Sequence, residues 1–239
     1  MYYFEKITDK KILKSDKLDN ALFTTKESFI KSKETNCQSI AEENFQMLKK
    51  TLKVEKLVCP NQTHSTNIDI AAFDKDEYPE TDALILTDNR IGIYLNFADC
   101  TPIVIYDKVK NIGAIAHGGW RGTAGKIAYK TVLKMVDEFH CNPKDMIALI
   151  GPCISECCFE VGGEVYNKLM ASVGIESNIK PNEKFHANLK EINKLQLEQA
   201  GINDIDICQF CTVCNNDNFF SYRKEKGTTN RHSAILTLR

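Results

Sequence analysis

The chain has 239 residues, a formal net charge of −1 and 43% apolar residues. That supports a sizeable core, and balanced charge without a basic block argues against nucleic acid as the main partner. No apolar run approaches the roughly 18 residues of a membrane span, and the first residues lack a signal-peptide apolar stretch, so a cytoplasmic protein without a membrane partner is expected.

Residues 1–35 alternate charge with short apolar pieces and predict one or two strands, the better one at 21–25. Residues 39–52 predict an amphipathic helix, with Ile40, Phe45, Leu48 and Leu52 on one stripe. Strands are expected at 54–58, 67–70 and 82–87, with a loop at 60–65 and an acidic loop at 74–80. Residues 91–97 and 103–106 are β-branched and aromatic, 107–111 form a polar turn, and 112–116 return as a strand. A turn centred between Lys108 and Val109 would set Cys100 opposite His117 at the mouth of this hairpin. Cross-strand Cβ atoms stand about 4.5–5.5 Å apart. Such a pair could share one metal ion or one proton, with Gly118, Gly119 and Gly122 clearing space beside it.

Residues 125–139 predict a helix, and Met146–Ile150 a buried strand running into a turn-rich segment at 151–160. Helices are expected at 165–172 and 189–200, and strands at 205–208, 219–223 and 233–238, the last two joined by a polar loop. No internal repeat or linker divides the chain. The mixture lacks a regular βαβ rhythm and fits one mixed α/β sandwich domain over residues 1–239.

Five histidines are available. His140 follows a helix and suits its C-terminal end, while His186 and His232 sit in polar stretches and are expected in solvent. His64, in a loop beside Gln62 and Ser65, can join Cys100 and His117. Two imidazoles and a thiolate suit zinc with a fourth position for water or substrate, and the same set could bind copper. Asp99 could orient a ligand or cap the next turn; Arg121 is a candidate anion clamp, and Trp120 a stacking platform or a rim residue of the core.

The ten cysteines read as thiols, ligands or reactive groups before disulfides. Cys211 and Cys214 form a CxxC, and with Cys153, Cys157 and Cys158 a structural zinc or iron–sulfur cluster can be imagined. Free thiols packed near the site are the favoured alternative. Neither Cys208 in the preceding strand nor the distant His232 completes a compact ligand set. No P-loop, GxGxxG or GxSxG motif is present.

Five motifs occur in order: NQTHS at 61–65, ADCTP at 98–102, AHGGWRG at 116–122, GPCIS at 151–155 with CFEVG at 158–162, and CTVCN at 211–215 with FFSYR at 219–223. Together they resemble the YfiH family, also called the laccase-domain, polyphenol oxidoreductase or peptidoglycan editing factor family. The resemblance implies a single-domain, four-layer α/β/β/α sandwich related to cytotoxic-necrotizing-factor-type cysteine hydrolases. It implies a metal site at His64, Cys100 and His117, holding zinc or copper. It also implies purine nucleoside phosphorolysis, with adenosine deamination as a second activity and copper-dependent phenol oxidation in some members. The hydrolase relation adds a competing expectation, a cysteine amidohydrolase editing peptidoglycan precursors with Cys100 as nucleophile. Arg121 and Arg223 are the expected phosphate contacts, with Tyr222, Gln62 and Asp99 beside the substrate. The expected partners are a small nucleoside and phosphate, and the expected state a monomer or homodimer.

Overall fold

Residues 1–239, all described by the computed structural model, form two six-stranded sheets and one two-stranded sheet. Strands β1 (Tyr2–Ile7), β2 (Lys10–Ser15) and β3 (Leu18–Thr24) make an antiparallel meander. Helix α1 (Gln38–Thr51) leads to β4 (Lys56–Val58), β5 (Ile68–Ala71), β6 (Ala83–Leu86) and β7 (Ile91–Phe97). The hairpin β8 (Thr101–Asp107) and β9 (Ile112–Gly118) follows, then α2 (Trp120–Ala124), α3 (Ile127–Phe139) and β10 (Met146–Ile150). The chain ends with β11 (Glu160–Gly162), α4 (Gly163–Ala171), β12 (Lys184–His186), α5 (Leu189–Gln199), β13 (Asp204–Ile207) and β14 (His232–Leu236). The first sheet runs β1-β2-β3-β14-β7-β4, and the second β13-β10-β8-β9-β6-β5.

Alternation along the strands explains how these sheets stack. In β8, Val104 and Tyr106 point into the core shared by both sheets, while Ile103 and Ile105 point outward onto α3 and α5. Every residue of β8 is buried, as expected for a strand covered on both faces. In the first sheet, Phe23, Leu95, Phe97 and Leu236 face the shared core, and Leu22 and Ile235 face Leu48 of α1. The layers are therefore helix, sheet, sheet, helix, and the mixed α/β sandwich expectation holds.

Several local expectations are corrected. The N-terminal segment holds three strands, because its charged residues sit on an edge meander with one wet face. The helix expected over 125–139 starts at Ile127; Lys126 takes a left-handed φ of +62° that separates α2 from α3. Residues 219–223 are not a strand. Phe219 and Phe220 enter different apolar clusters from an irregular turn, whose Ser221 N–H donates to the Glu225 carboxylate. Residues 91–97 do not share a sheet with the hairpin: β7 belongs to the first sheet and β8 to the second.

Candidate active site

The hairpin register puts His117 opposite Pro102 rather than Cys100, so the turn is centred between Val109 and Lys110. The shift is two residues, which keeps Cys100 on the expected face. Cys100 stands just before β8, in the short crossover where the chain leaves the first sheet for the second. Asp99 there has a φ of +85°, a left-handed bend tolerated best by Gly, Asn and Asp. The bend brings the thiol to His64 Nε2, 3.8 Å away. The donor atoms of His64, Cys100 and His117 all lie within 4.8 Å of one another.

Asp82, immediately before β6, holds this arrangement. Its Oδ1 pairs with His117 Nδ1 at 2.7 Å and accepts the His64 N–H at 3.0 Å. Its Oδ2 accepts the Thr63 and Ser65 N–H groups and the Ser65 hydroxyl at 3.1, 2.7 and 2.8 Å. The loop carrying His64, itself at a φ of +63°, is thus tied to the carboxylate that orients His117. With Nδ1 engaged, His117 presents Nε2 as the free ring nitrogen, the arrangement of a carboxylate–histidine–metal triad. Gly119 completes the cradle, because a Cβ there would stand 3.0 Å from His64 Cδ2 and 3.1 Å from Cys100 Sγ.

The electrostatics follow from these contacts. Burial opposes ionisation of Asp82, yet hydrogen bonds from His117 and Ser65 hold it well below the usual carboxylate range. Burial also disfavours the Cys100 thiolate, but the charge and hydrogen bond of His117, aided by His64, bring its pKa down to about 6. Burial lowers the pKa of His117, and the opposing Cys100 charge and Asp82 hydrogen bond raise it to about 9. In the absence of a metal each partner's charge favours the other's, pulling the pair toward thiolate and imidazolium. Metal binding requires loss of the His117 Nε2 proton, since only unprotonated imidazole ligates.

The set opens into a cavity of about 490 Å³, within the range of small-ligand pockets. Gln62, Asp99, Tyr222 and Arg223 line it, together with Phe159 and Arg231. Gln62 spends its amide on the Asn96 backbone, donating to the carbonyl at 2.9 Å and accepting from the N–H at 2.8 Å. Asp99 accepts from the Thr212 hydroxyl at 2.6 Å and from the Arg223 N–H at 2.7 Å, tying the crossover to the C-terminal turns. Arg121 is not in the cavity: it is exposed, stacks over Trp120 at 4.3 Å, and lines a separate shallow groove.

Residues 31–239 match the family described as multi-copper polyphenol oxidoreductase laccase. The chain belongs to this family. The chain is 33% identical over 198 residues to purine nucleoside phosphorylase YlmD of Geobacillus stearothermophilus, covering 77% of this chain and 72% of that protein. It is 35% identical over 186 residues to adenosine deaminase RL5 of an unknown prokaryotic organism, covering 72% and 71%. The YfiH protein of Bacillus licheniformis, whose crystal structure is solved, superposes with a TM-score of 0.83 at 27% identity, over 95% of this chain and 96% of that one. The fold of this laccase-domain chain is therefore that of YfiH.

Sequence reasoning missed Asp82 and Arg231 as parts of the site. Asp82 reads in sequence as a polar residue opening an apolar strand, and only the pairing of β6 with β9 places it behind His117. Arg231 looks like part of a polar loop, and reaches the cavity because β14 lies beside β7.

Proposed function

We propose that the chain is a metal-dependent purine nucleoside phosphorylase, taking adenosine, inosine, guanosine or methylthioadenosine with phosphate to the free base and ribose 1-phosphate. The observation that carries this reading is the His64–Cys100–His117 set at a cavity also lined by two arginines. The donor chemistry fits zinc: two imidazoles and one thiolate leave one place in a four-coordinate site. When bound, the ion would supply a Lewis acid beside the substrate. Arg223 and Arg231 are the candidate phosphate contacts, since a guanidinium fork matches an oxyanion bidentately. Phe159 and Tyr222 offer aromatic faces for a purine. Asp82 keeps His117 in the tautomer the site needs.

The test is phosphate-dependent release of free base from inosine or adenosine by purified protein. Cys100→Ala should lower kcat at least about a hundredfold while leaving the thermal midpoint near its original value. Full phosphorolysis by folded Cys100→Ala protein would refute the reading. Arg231→Met should raise KM for phosphate about tenfold or more, the loss expected when a charge-assisted hydrogen bond goes. Adenosine deamination at the same site is a second activity of this reading, supported by the relative named for it. Ammonia release without phosphate measures it.

One observation favours another reading. Cys100, His117 and Asp82 stand in the order nucleophile, base and orienting carboxylate. A cysteine amidohydrolase acting on peptidoglycan precursors would use them so, and its activity would survive chelation. A copper site would take the same three donors. Multi-copper chemistry needs further ligands, and His140, His186 and His232 stand outside this cluster. Activity that disappears on chelation and returns with zinc separates the proposal from both.

A further inference from the structure

Two turns far apart in sequence leave the same edge of the second sheet together. Strand β10 pairs in parallel with β13, and the pairing continues beyond the strand ends. The Cys208 N–H donates to the Ile150 carbonyl at 2.8 Å, the Thr212 N–H donates to the Cys153 carbonyl at 3.0 Å, and Cys153 and Cys211 form a parallel bridge. The turn after β10 carries Cys157 and Cys158; the turn after β13 carries Cys211 and Cys214. Of the cysteines that the sequence sets beside the CxxC, Cys157 and Cys158 are therefore its partners, and Cys153 is not among the converging sulfurs. Both partners come from the other turn, brought alongside by strand pairing.

All four sulfurs lie within 4.8 Å of one another, and none is in a disulfide. Cys157 and Cys158 stand 3.7 Å apart, Cys157 and Cys214 3.7 Å, and Cys158 and Cys214 3.5 Å. A tetrahedral ion with metal–sulfur bonds of about 2.3 Å requires ligand sulfurs about 3.8 Å apart. An iron–sulfur cluster would need a wider ligand cage around several irons. Burial of small thiols does not account for the convergence, because Cys157 and Cys214 are exposed. The Ser155 N–H, from the turn that carries Cys157 and Cys158, donates to Cys211 Sγ at 3.4 Å, the kind of support a metal thiolate accepts from neighbouring backbone.

We propose that Cys157, Cys158, Cys211 and Cys214 hold one structural zinc ion, separate from the His64–Cys100–His117 set. Four thiolates close the coordination, leaving no place for substrate. The ion staples together two turns that build the cavity wall. Phe159 follows Cys158 directly, the Cys158 carbonyl accepts from Arg223 Nη1 at 3.3 Å, and Thr212 donates to Asp99 from within the CxxC turn. Binding releases the thiol protons, so the site favours neutral over acidic pH.

The test is zinc stoichiometry by elemental analysis of untagged, full-length protein grown with zinc and kept reduced. A His64→Ala, Cys100→Ala double variant removes two donors of the other set and should retain one zinc per chain. Adding Cys158→Ser and Cys214→Ser should take that zinc to none. A folded double variant without zinc would overturn the proposal. Because serine variants could unfold, the unmodified chain supplies a second measurement. Cys157 and Cys214 are exposed, yet with zinc they should resist alkylation at least tenfold more than after chelation, read peptide by peptide by mass spectrometry. Equal alkylation rates with and without zinc would overturn the proposal whatever the variants do.

Discussion

A methyl group at position 119 would crowd both His64 and Cys100, 3.0 and 3.1 Å from their nearest atoms. Gly119 has φ −66° and ψ 167°, angles open to any residue, so its role is space and not backbone freedom. Gly119→Ala should therefore leave the fold intact while displacing two of the three donors by a few tenths of an ångström. The expected result is a loss of metal affinity of about 10–100-fold, the scale of other changes that disturb ligand orientation. A competitive chelator titration reads it, and the thermal midpoint should stay within a few degrees. A large fall in midpoint with unchanged affinity would show that the glycine serves packing instead. The histidines and cysteine of this site were legible in the sequence. So was the space that Gly119 leaves beside them; that a Cβ there would strike His64 as well as Cys100 was not, because His64 arrives from another loop.

At the scale of elements, the site depends on the crossover from β7 to β8. The sequence shows two good strands and a Cys–His pair, but it does not show that these strands enter different sheets. Period-two alternation is the same for both sheets, so the face of Cys100 could be read and its sheet could not. What decides the path is Asp99. Its left-handed backbone turns the chain, and its carboxylate fastens the turn to Thr212 and Arg223. Asp99→Ala loses both hydrogen bonds and places a Cβ-bearing residue with no local compensation at positive φ. The expected cost is about 2–4 kcal/mol. Asp99→Asn keeps the tolerance for that backbone and one acceptor, and should cost about 1 kcal/mol. Urea denaturation of the two variants measures the difference. Equal stabilities would mean that neither backbone nor carboxylate holds the crossover. Short or exposed elements were the least legible for a related reason: β12 exposes all three residues, so it has no buried face to imprint a pattern.

For the molecule as a whole, the four layers follow from strands apolar on both faces and helices apolar on one. That pattern was visible in residues 82–150, where the second sheet and its covering helix are most regular. The polar context of His232 misled, since it suggested solvent. Pairing of β14 between β3 and β7 instead buries this histidine fully beside Phe97 and Phe219. Neither ring nitrogen has a partner at good hydrogen-bond geometry, and burial, opposed by a contact to the Pro152 backbone and reinforced by the charge of Arg231, pushes its pKa down to about 3. The consequence belongs to global stability. An unfolded histidine titrates near 6.5, so below that pH the unfolded chain takes up a proton that the folded chain refuses. Stability contributed by neutral His232 is present above about 6.5 and falls as pH drops toward 3. At pH 5.5 the loss is about 1.4 kcal/mol, one pH unit below the unfolded value. In the metal-free chain His117 has the opposite sign, since its raised pKa gives stability below about 6.5 that is lost toward 9. Comparison with His232→Phe cancels that contribution. Between pH 7.5 and 5.5 the original chain should lose about 1.4 kcal/mol more than His232→Phe, or roughly 3–6 °C of thermal midpoint. Parallel pH profiles for the two proteins would show that His232 finds a proton acceptor inside the core.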